Sequence, residues 1–372
     1  MRIRVGAIVG LALVCGIASA EQPEVAIVKA TFSIAERPAE GRGSIGFSRT
    51  IENGLTGAGV AYKMITEEQV EADGLAAFKL VIFPYSAVWH EREIERVLEF
   101  IAGGGKLMCF YTIPEELREP LGIGSYSARR ADYDGEFSVM QFADDRPPGF
   151  PAQVRQLSTN LSVVTAGEGG RVIANWHDSA GEDTGMPAVI LSENGVYVSH
   201  VFKAGVPGGQ THLVLATLGH FLPGWWDALI SGALERASVS VGYETLADLE
   251  QASAGNRAAS QAAREAIVAA DAARVAMDEQ RYSDALALAT ASQTAAQTAA
   301  TASFPSRPYE LRGAWMGFPT DDTDWEAIMS ELEAADFNAL FPLMCDASAA
   351  AYPSSYLLQF TETDQLAACI EA

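Results

Sequence analysis

From Ala247 to Ala302 the chain runs for 56 residues without a proline, and 22 of them are alanine. Such a stretch folds as helix, because alanine is the best helix former and proline the strongest breaker. Asp278-Glu279-Gln280-Arg281-Tyr282 interrupts the alanine pattern and predicts the turn between two antiparallel helices. Methyl side chains let two helix axes come close but bury little area, so the hairpin needs a neighbour, in this chain or in another. Residues 244–302 therefore read as a helical spacer or assembly element, with a peptide-binding repeat as the alternative. Phe304-Pro305-Ser306-Arg307-Pro308 ends the helix and marks a boundary.

At the other end, Arg2 and Arg4 precede an unbroken apolar run, Val5 to Ile17, and Ala18-Ser19-Ala20 then offers a small-x-small cleavage pattern before Glu21. Thirteen apolar residues are too few to span a bilayer, so residues 1–20 read as a cleavable signal peptide and the protein as secreted or periplasmic. No later stretch reaches about 18 apolar residues, and no membrane span is expected once the signal is removed. The 25 Lys and Arg against 48 Asp and Glu give a net charge of −23, which argues against a phosphate-binding face and hence against a nucleic-acid partner. Cys15 leaves with the signal. Cys109, Cys345 and Cys369 remain, an odd number read as three buried thiols, with a 109–345 or 345–369 bridge as the alternative.

Residues 21–235 alternate strand-like and helix-like patterns. Glu24–Lys29, Val60–Ile65, Lys79–Phe83 and Lys106–Tyr111 are short, apolar and rich in β-branched or aromatic residues. Ser44–Gly57 and Glu91–Ala102 read as helices, the second with Ile94, Val97, Leu98 and Ile101 on one face. Alternation of this kind predicts a parallel sheet covered on both sides. Val189–Ser192 and Val196–Phe202 flank Asn194-Gly195, a pair suited to a type I′ hairpin turn, and Thr211–Leu222 reads as a closing helix. Gly41, Gly43 and Gly46 spell G-x-G-x-x-G, but they lie too far past the strand for a pyrophosphate loop and read as a flexible loop. Gly103-Gly104-Gly105 follows a helix and precedes a strand, which makes it a C-cap and turn.

VIFPYSAVW (81–89), EFIAGGGKLMCFYT (99–112) and VYVSHVF (196–202) resemble the class I glutamine amidotransferase-like fold, especially the non-catalytic versions attached to bacterial glycoside hydrolases. The resemblance implies a nucleophilic cysteine at the elbow after the strand 106–111. Here Tyr111, Thr112 and Ile113 occupy that turn, Cys109 falls inside the strand, and His200 stands near the family's late-strand histidine, followed by Val201-Phe202 instead of Pro-Glu. A nucleophile must be exposed and paired with a base, so packing, oligomerisation or glycan contact is the expected role. His90, His177, His200, His212 and His220 show no chelating spacing, so neither metal nor cofactor is expected. Trp225-Trp226 offers a possible sugar platform, although side chains about 100° apart on a helix put at least one of them in the core.

In residues 307–372, Tyr309–Met316 reads as a strand, and Thr323-Asp324-Trp325-Glu326 as a capping box with Thr323 at the N-cap. Trp325, Ile328, Met329 and Leu332 then form one helix face. Asn338–Met344 is the next strand, a polar loop runs from Cys345 to Glu362, and Thr363-Asp364 caps a last helix, Gln365–Ile370. This is a β/α-barrel rhythm. ELRGAW (310–315), Trp325, FNALFP (337–342) and AYPSSYL (351–357) resemble the opening of the glycosyl-hydrolase-like family ten barrel, with Asp336 where the family has glycine. The fold class expected overall is α/β: a flavodoxin-like or amidotransferase-like parallel sheet domain, an Ala-rich helical hairpin, then the first two βα units of a truncated TIM barrel.

A full barrel needs about 250 residues and glycoside hydrolysis needs two facing carboxyl groups, so no catalytic residue is transferred. Arg312, Trp315, Asp346 and Tyr352, placed near strand C-terminal ends, are nominated as substrate contacts. Each also has a structural reading: barrel filling for Trp315, an ion pair for Arg312, a turn cap for Asp346. Asp321, Asp322 and Asp324 read as a solvated acidic turn. The resemblance implies the N-terminal part of a secreted glycoside hydrolase with a carbohydrate partner. The alternative is a non-enzymatic module for assembly, including homo-oligomer formation, or for glycan contact. A small-molecule-binding α/β protein is a third reading.

Overall fold

The computed structural model describes residues 24–72, 74–203, 209–303, 311–335 and 337–372. The signal-like segment, the Phe304–Pro308 boundary and Asp336 lie outside the described residues. The chain forms two compact units, which divide between Ser303 and Phe304.

The first unit begins β1 (Val25–Lys29), α1 (Thr31–Glu36), α2 (Pro38–Ala58), β2 (Lys63–Thr66), α3 (Glu67–Glu71), β3 (Leu80–Phe83), α4 (Glu91–Ala102) and β4 (Lys106–Phe110). Five strands follow: β5 (Ile123–Arg130), β6 (Phe137–Phe142), β7 (Gln153–Ser158), β8 (Asn160–Ala166) and β9 (Arg171–His177). The hairpin β10 (Asp183–Ser192) and β11 (Gly195–Val198) leads into α5 (Gln210–Phe221), α6 (Trp225–Val239), α7 (Leu246–Ser253), α8 (Arg257–Asp278) and α9 (Tyr282–Ser303).

Nine of the described strands form one sheet in the order β2-β1-β3-β4-β11-β10-β9-β6-β7. The pairings from β2 to β11 are parallel, and those from β11 to β7 are antiparallel. The expected parallel sheet is thus a mixed one. The β10–β11 hairpin turns the chain back on itself, and β9, β6 and β7 continue as a meander, while β5 and β8 pair as a separate antiparallel ribbon.

The hairpin itself differs from the expected Asn194-Gly195 turn. Ser192 pairs with Gly195, so Glu193 and Asn194 form the loop, and neither has the positive φ of a type I′ turn. Gly195 serves a different purpose, because a β-carbon there would run into the Leu107 carbonyl of β4. Gly41, Gly43 and Gly46 lie within α2, which starts at Pro38 in the first helical turn, and not in a loop. Gly41 lets α2 cross the backbone of α1 at Ile34, where a β-carbon would clash.

Apolar side chains cover both faces of the sheet. On one face, Ile27, Leu55, Met108, Val196, Leu213, Leu215 and Ile230 bring α2, α5 and α6 onto it. On the other, Val28, Phe83, Val97, Leu107, Cys109 and Tyr197 bring α4. The alanine hairpin finds its neighbour in α6. Ala263, Ala266, Ala273, Ala289 and Ala296 are fully buried. Ser292 Oγ donates to Ala266 O at 2.8 Å across the hairpin, and Gln293 Nε2 donates to Ala233 O of α6 at 2.7 Å. Trp226 is the core member of the tryptophan pair, with its ring stacked on Tyr282 at 5.2 Å.

The second unit contains β12 (Gly313–Met316), α10 (Trp325–Ala334), β13 (Ala339–Pro342), β14 (Ala349–Ala350), β15 (Leu358–Gln359) and α11 (Gln365–Glu371). β12 and β13 pair in parallel, as do the short β14 and β15. The cap of α10 is Asp324, which accepts the Ala327 N–H at 3.0 Å, and not Thr323, whose hydroxyl accepts the Thr320 N–H at 2.8 Å. Trp325 Nε1 donates to buried Gln365 Oε1 at 2.9 Å and ties α10 to α11. Among the described residues, no helix is long and apolar enough to cross a membrane.

Candidate functional site

β4 carries Leu107, Met108, Cys109 and Phe110 through the core, and the chain turns sharply where it leaves the sheet. Tyr111, the first residue of that turn, has φ +60°. A large side chain in the left-handed region costs about 1–3 kcal/mol and persists only where the surroundings over-determine it. The Tyr111 N–H donates to Val198 O of β11 at 2.9 Å. Its carbonyl faces three hydroxyl donors: Tyr126 at 2.9 Å, Ser162 at 2.8 Å and Tyr197 at 2.5 Å. These come from β5, β8 and β11, so three strands hold one peptide in place.

The Tyr111 side chain fills the space above the turn. Its hydroxyl accepts Asn160 Nδ2 at 2.6 Å, and its ring meets His200 edge-on at 5.3 Å and stacks near Tyr85 at 6.1 Å. Tyr85 in turn donates to Glu40 Oε2 at 2.9 Å. His200 is 5% exposed, with Nε2 3.2 Å from Asn160 Oδ1 and Nδ1 3.0 Å from Ser158 Oγ and 2.9 Å from Val201 O. Both ring nitrogens are therefore engaged, and burial pushes the imidazole down to about 4, which leaves it neutral at pH 7.

The other candidates for a nucleophile are also occupied. Cys109 is fully buried, and burial, followed by the nearby Glu93, pushes its thiol well above the ordinary range. Thr112 Oγ1 donates to Ser86 O at 2.7 Å. Burial raises the Tyr111 phenol. This elbow has the strained backbone of a nucleophile's perch and a histidine beside it, but no ionisable attacking group free to reach a substrate. Asn160, Ser158, Ser162 and Tyr126 complete the arrangement and were not anticipated. Their strands carry little sequence signal: in Gln153–Ser158 the buried positions include Gln156 and Ser158, whereas Leu157 is exposed.

In the second unit the nominated contacts divide between the two ends of β12. Trp315 lies within β12, 84% exposed, and stacks on its register partner Phe341 at 5.1 Å. Asp346 and Tyr352 belong to the turn region after β13. Asp346 Oδ1 accepts the N–H groups of Ser348 (2.7 Å) and Ala349 (2.9 Å) and the Ser348 hydroxyl (2.8 Å). Those bonds hold the carboxyl below its usual range. The Cys345 thiol near Tyr352 raises its phenol. Arg312 precedes β12, at the end of the strand opposite to the one expected. Its backbone N–H donates to Asn338 Oδ1 at 2.8 Å and its carbonyl accepts the Asn338 N–H at 2.9 Å.

Asp321, expected in a solvated turn, is a brace. Its carboxylate accepts the N–H groups of Glu362 and Thr363 at 3.0 Å each, and the Thr363 hydroxyl at 2.9 Å. The three thiols are free, but only Cys109 is buried; Cys345 and Cys369 are half-buried, because the second unit encloses less of its surface. Among the described residues, no group of three His, Cys, Asp or Glu is placed to hold a metal ion.

No protein-family model and no curated protein matches the chain. Solved structures do. A cold-adapted β-galactosidase from Rahnella sp. R3 superposes with a TM-score of 0.42 at 19% identity, over 53% of this chain and 31% of its own. The β-galactosidase from Bacillus circulans sp. alkalophilus gives 0.42 at 18%, over 54% of this chain and 31% of its own. A ThuA-like protein from Bacteroides uniformis ATCC 8492 gives 0.40 at 12%, over 54% of this chain and 91% of its own. The chain thus spans less than a third of the length of these β-galactosidases.

Proposed function

We propose that this chain is part of a secreted glycoside hydrolase of the glycosyl-hydrolase-like family ten kind, acting on poly- or oligosaccharide, and that residues 24–303 serve it as a non-catalytic α/β module. The observation that carries this reading is the elbow: Tyr111 occupies the left-handed position at the end of β4, and its hydroxyl is closed off by Asn160. The carbohydrate side rests on the sequence resemblance of residues 310–357 and on the Trp315–Phe341 stack, an aromatic face open to a pyranose ring. Asp321, Asp324, Asp346 and Asp364 each cap or brace backbone through a carboxylate oxygen, which supports a structural role for these four. Accordingly no catalytic acid or base is assigned, and no glycoside turnover is expected of this chain.

A second reading, self-assembly through the alanine hairpin, is favoured by Val268 and Val275. They lie two turns apart on α8 and are 68% and 53% exposed. Affinity electrophoresis of the full chain in soluble polysaccharides, run beside an aryl-glycoside panel, tests the first reading. Retardation in at least one polysaccharide, lost in Trp315→Ala and without hydrolysis of any glycoside, is the expected result. Glycoside hydrolysis, or retardation that Trp315→Ala leaves intact, would overturn it.

A further inference from the structure

Two carboxyl groups are buried where α1, α3 and the start of α4 come together. Glu67, the first residue of α3, is 0% exposed. Its Oε2 accepts the Phe32 N–H of α1 at 2.6 Å, and its Oε1 accepts the Ser86 hydroxyl at 2.7 Å. Glu93, in the first turn of α4, is also 0% exposed, and apart from the neighbouring His90 backbone N–H neither of its oxygens meets a hydrogen-bond donor. A buried carboxylate with nothing to compensate it takes up a proton instead.

The groups facing this pair sharpen the effect. Glu68 of α3 adds negative charge toward both carboxyls, and Glu71 adds it toward Glu93. His90 bridges Glu36 of α1 at 2.7 Å and Glu71 at 3.3 Å; the bond to Glu36, followed by that to Glu71, raises its imidazole, which carries positive charge on this side when protonated. From β4 the nearest group is the neutral Cys109 thiol. Burial is the main cause of both shifts. It pushes Glu67 up to about 7, and burial together with the Glu67 charge pushes Glu93 up to about 9.

The pair is also connected to the elbow. The Ser86 carbonyl accepts Thr112 Oγ1 at 2.7 Å and Trp89 Nε1 at 3.0 Å. Ser33 Oγ of α1 accepts the Ala87 N–H at 2.8 Å and the Val88 N–H at 3.2 Å. Glu67, Ser86, Ser33 and Thr112 therefore join α1, the segment 84–90 and the turn after β4 in one hydrogen-bonded assembly.

We propose that Glu67 and Glu93 form a proton-operated latch. While at least one proton remains on the pair, it stays buried and holds α1 and residues 84–90 against the sheet. Loss of the last proton drives Glu93 toward water and releases those segments together with the Thr112 side of the elbow.

Hydrogen–deuterium exchange of the full chain between about pH 6 and about pH 9.5, corrected for intrinsic exchange, tests the latch. Peptides covering 31–36 and 84–92 are expected to lose protection at least about tenfold, the equivalent of one pKa unit, while β11 and α5 stay protected. Glu93→Gln, neutral at every pH, is expected to abolish that loss. An equal loss in wild type and Glu93→Gln, or a loss spread over the whole unit, would overturn the proposal. Infrared spectroscopy of the wild type gives a second route should Glu93→Gln fail to fold. A carboxylic-acid carbonyl band persisting at about pH 8 and lost by about pH 10 is expected, and its absence at pH 8 would overturn the latch.

Discussion

β11 and β12 are both short runs of apolar residues, GVYV and GAWM, yet every residue of β11 is buried whereas Trp315 in β12 is 84% exposed. β11 lies between β4 and β10 in a nine-stranded sheet with apolar side chains packed on both faces. β12 pairs with β13 in a two-stranded sheet whose Phe341 is also exposed, as is Leu343 just after it. The side chains are alike and their surroundings differ. A parallel pair gains its stability from what covers its faces, so an apolar pattern announces a strand without saying how much that strand contributes.

Cutting the same side chain from both units should have very different costs. Trp176 is fully buried and donates from Nε1 to Ser199 Oγ at 2.8 Å. Trp176→Ala should cost about 3–5 kcal/mol in denaturant unfolding, and Trp315→Ala no more than about 0.5 kcal/mol. Similar losses would mean that exposure does not distinguish the two sheets.

A second prediction separates the units by pH. Glu93 has a folded pKa raised above its unfolded value, so its contribution is fully present below about pH 4.5 and is lost as pH rises through about 9. Glu93→Gln should raise the melting temperature at about pH 9 by several degrees (each kcal/mol is worth roughly 2–4 °C) and should bring no gain at about pH 4. A gain of equal size at both pH values would remove the electrostatic explanation.

Smaller effects belong to single hydrogen bonds. Tyr111→Phe deletes the bond to Asn160 and should cost about 0.5–1.5 kcal/mol, with φ at this position unchanged. In the second unit, Asp324→Ala removes the cap of α10 and should cost about 1 kcal/mol, whereas Glu326→Ala should stay within about 0.5 kcal/mol because Glu326 closes no capping box. Equal costs at Asp324 and Glu326 would restore the cap expected from sequence.

The parts of the fold that were legible in the sequence follow from burial. β1, β3, β4 and α4 are covered on one or both faces, and their apolar runs or 3.6-residue stripes state it. β5 through β9 were missed because they mix polar and half-exposed positions. Ile123–Arg130 keeps one residue fully buried, and Gln153–Ser158 alternates over only six. The G-x-G-x-x-G string and Asn194-Gly195 misled for a common reason. Gly41 and Gly195 answer close backbone approaches, to Ile34 and to Leu107, that belong to tertiary structure and leave no local mark. The elbow was legible at Tyr111 and His200, one at the end of its strand and the other just beyond β11. Asn160, which closes the site, lies on a strand that no pattern announced.

A strained turn that holds Tyr111 in place of a free nucleophile should catalyse no hydrolysis, and an assay can measure this. Full chain and His200→Ala would be assayed side by side on glutamine and on an activated ester. Both proteins should stay at the rate of the protein-free blank. A rate above the blank in the wild type that falls in His200→Ala would contradict it.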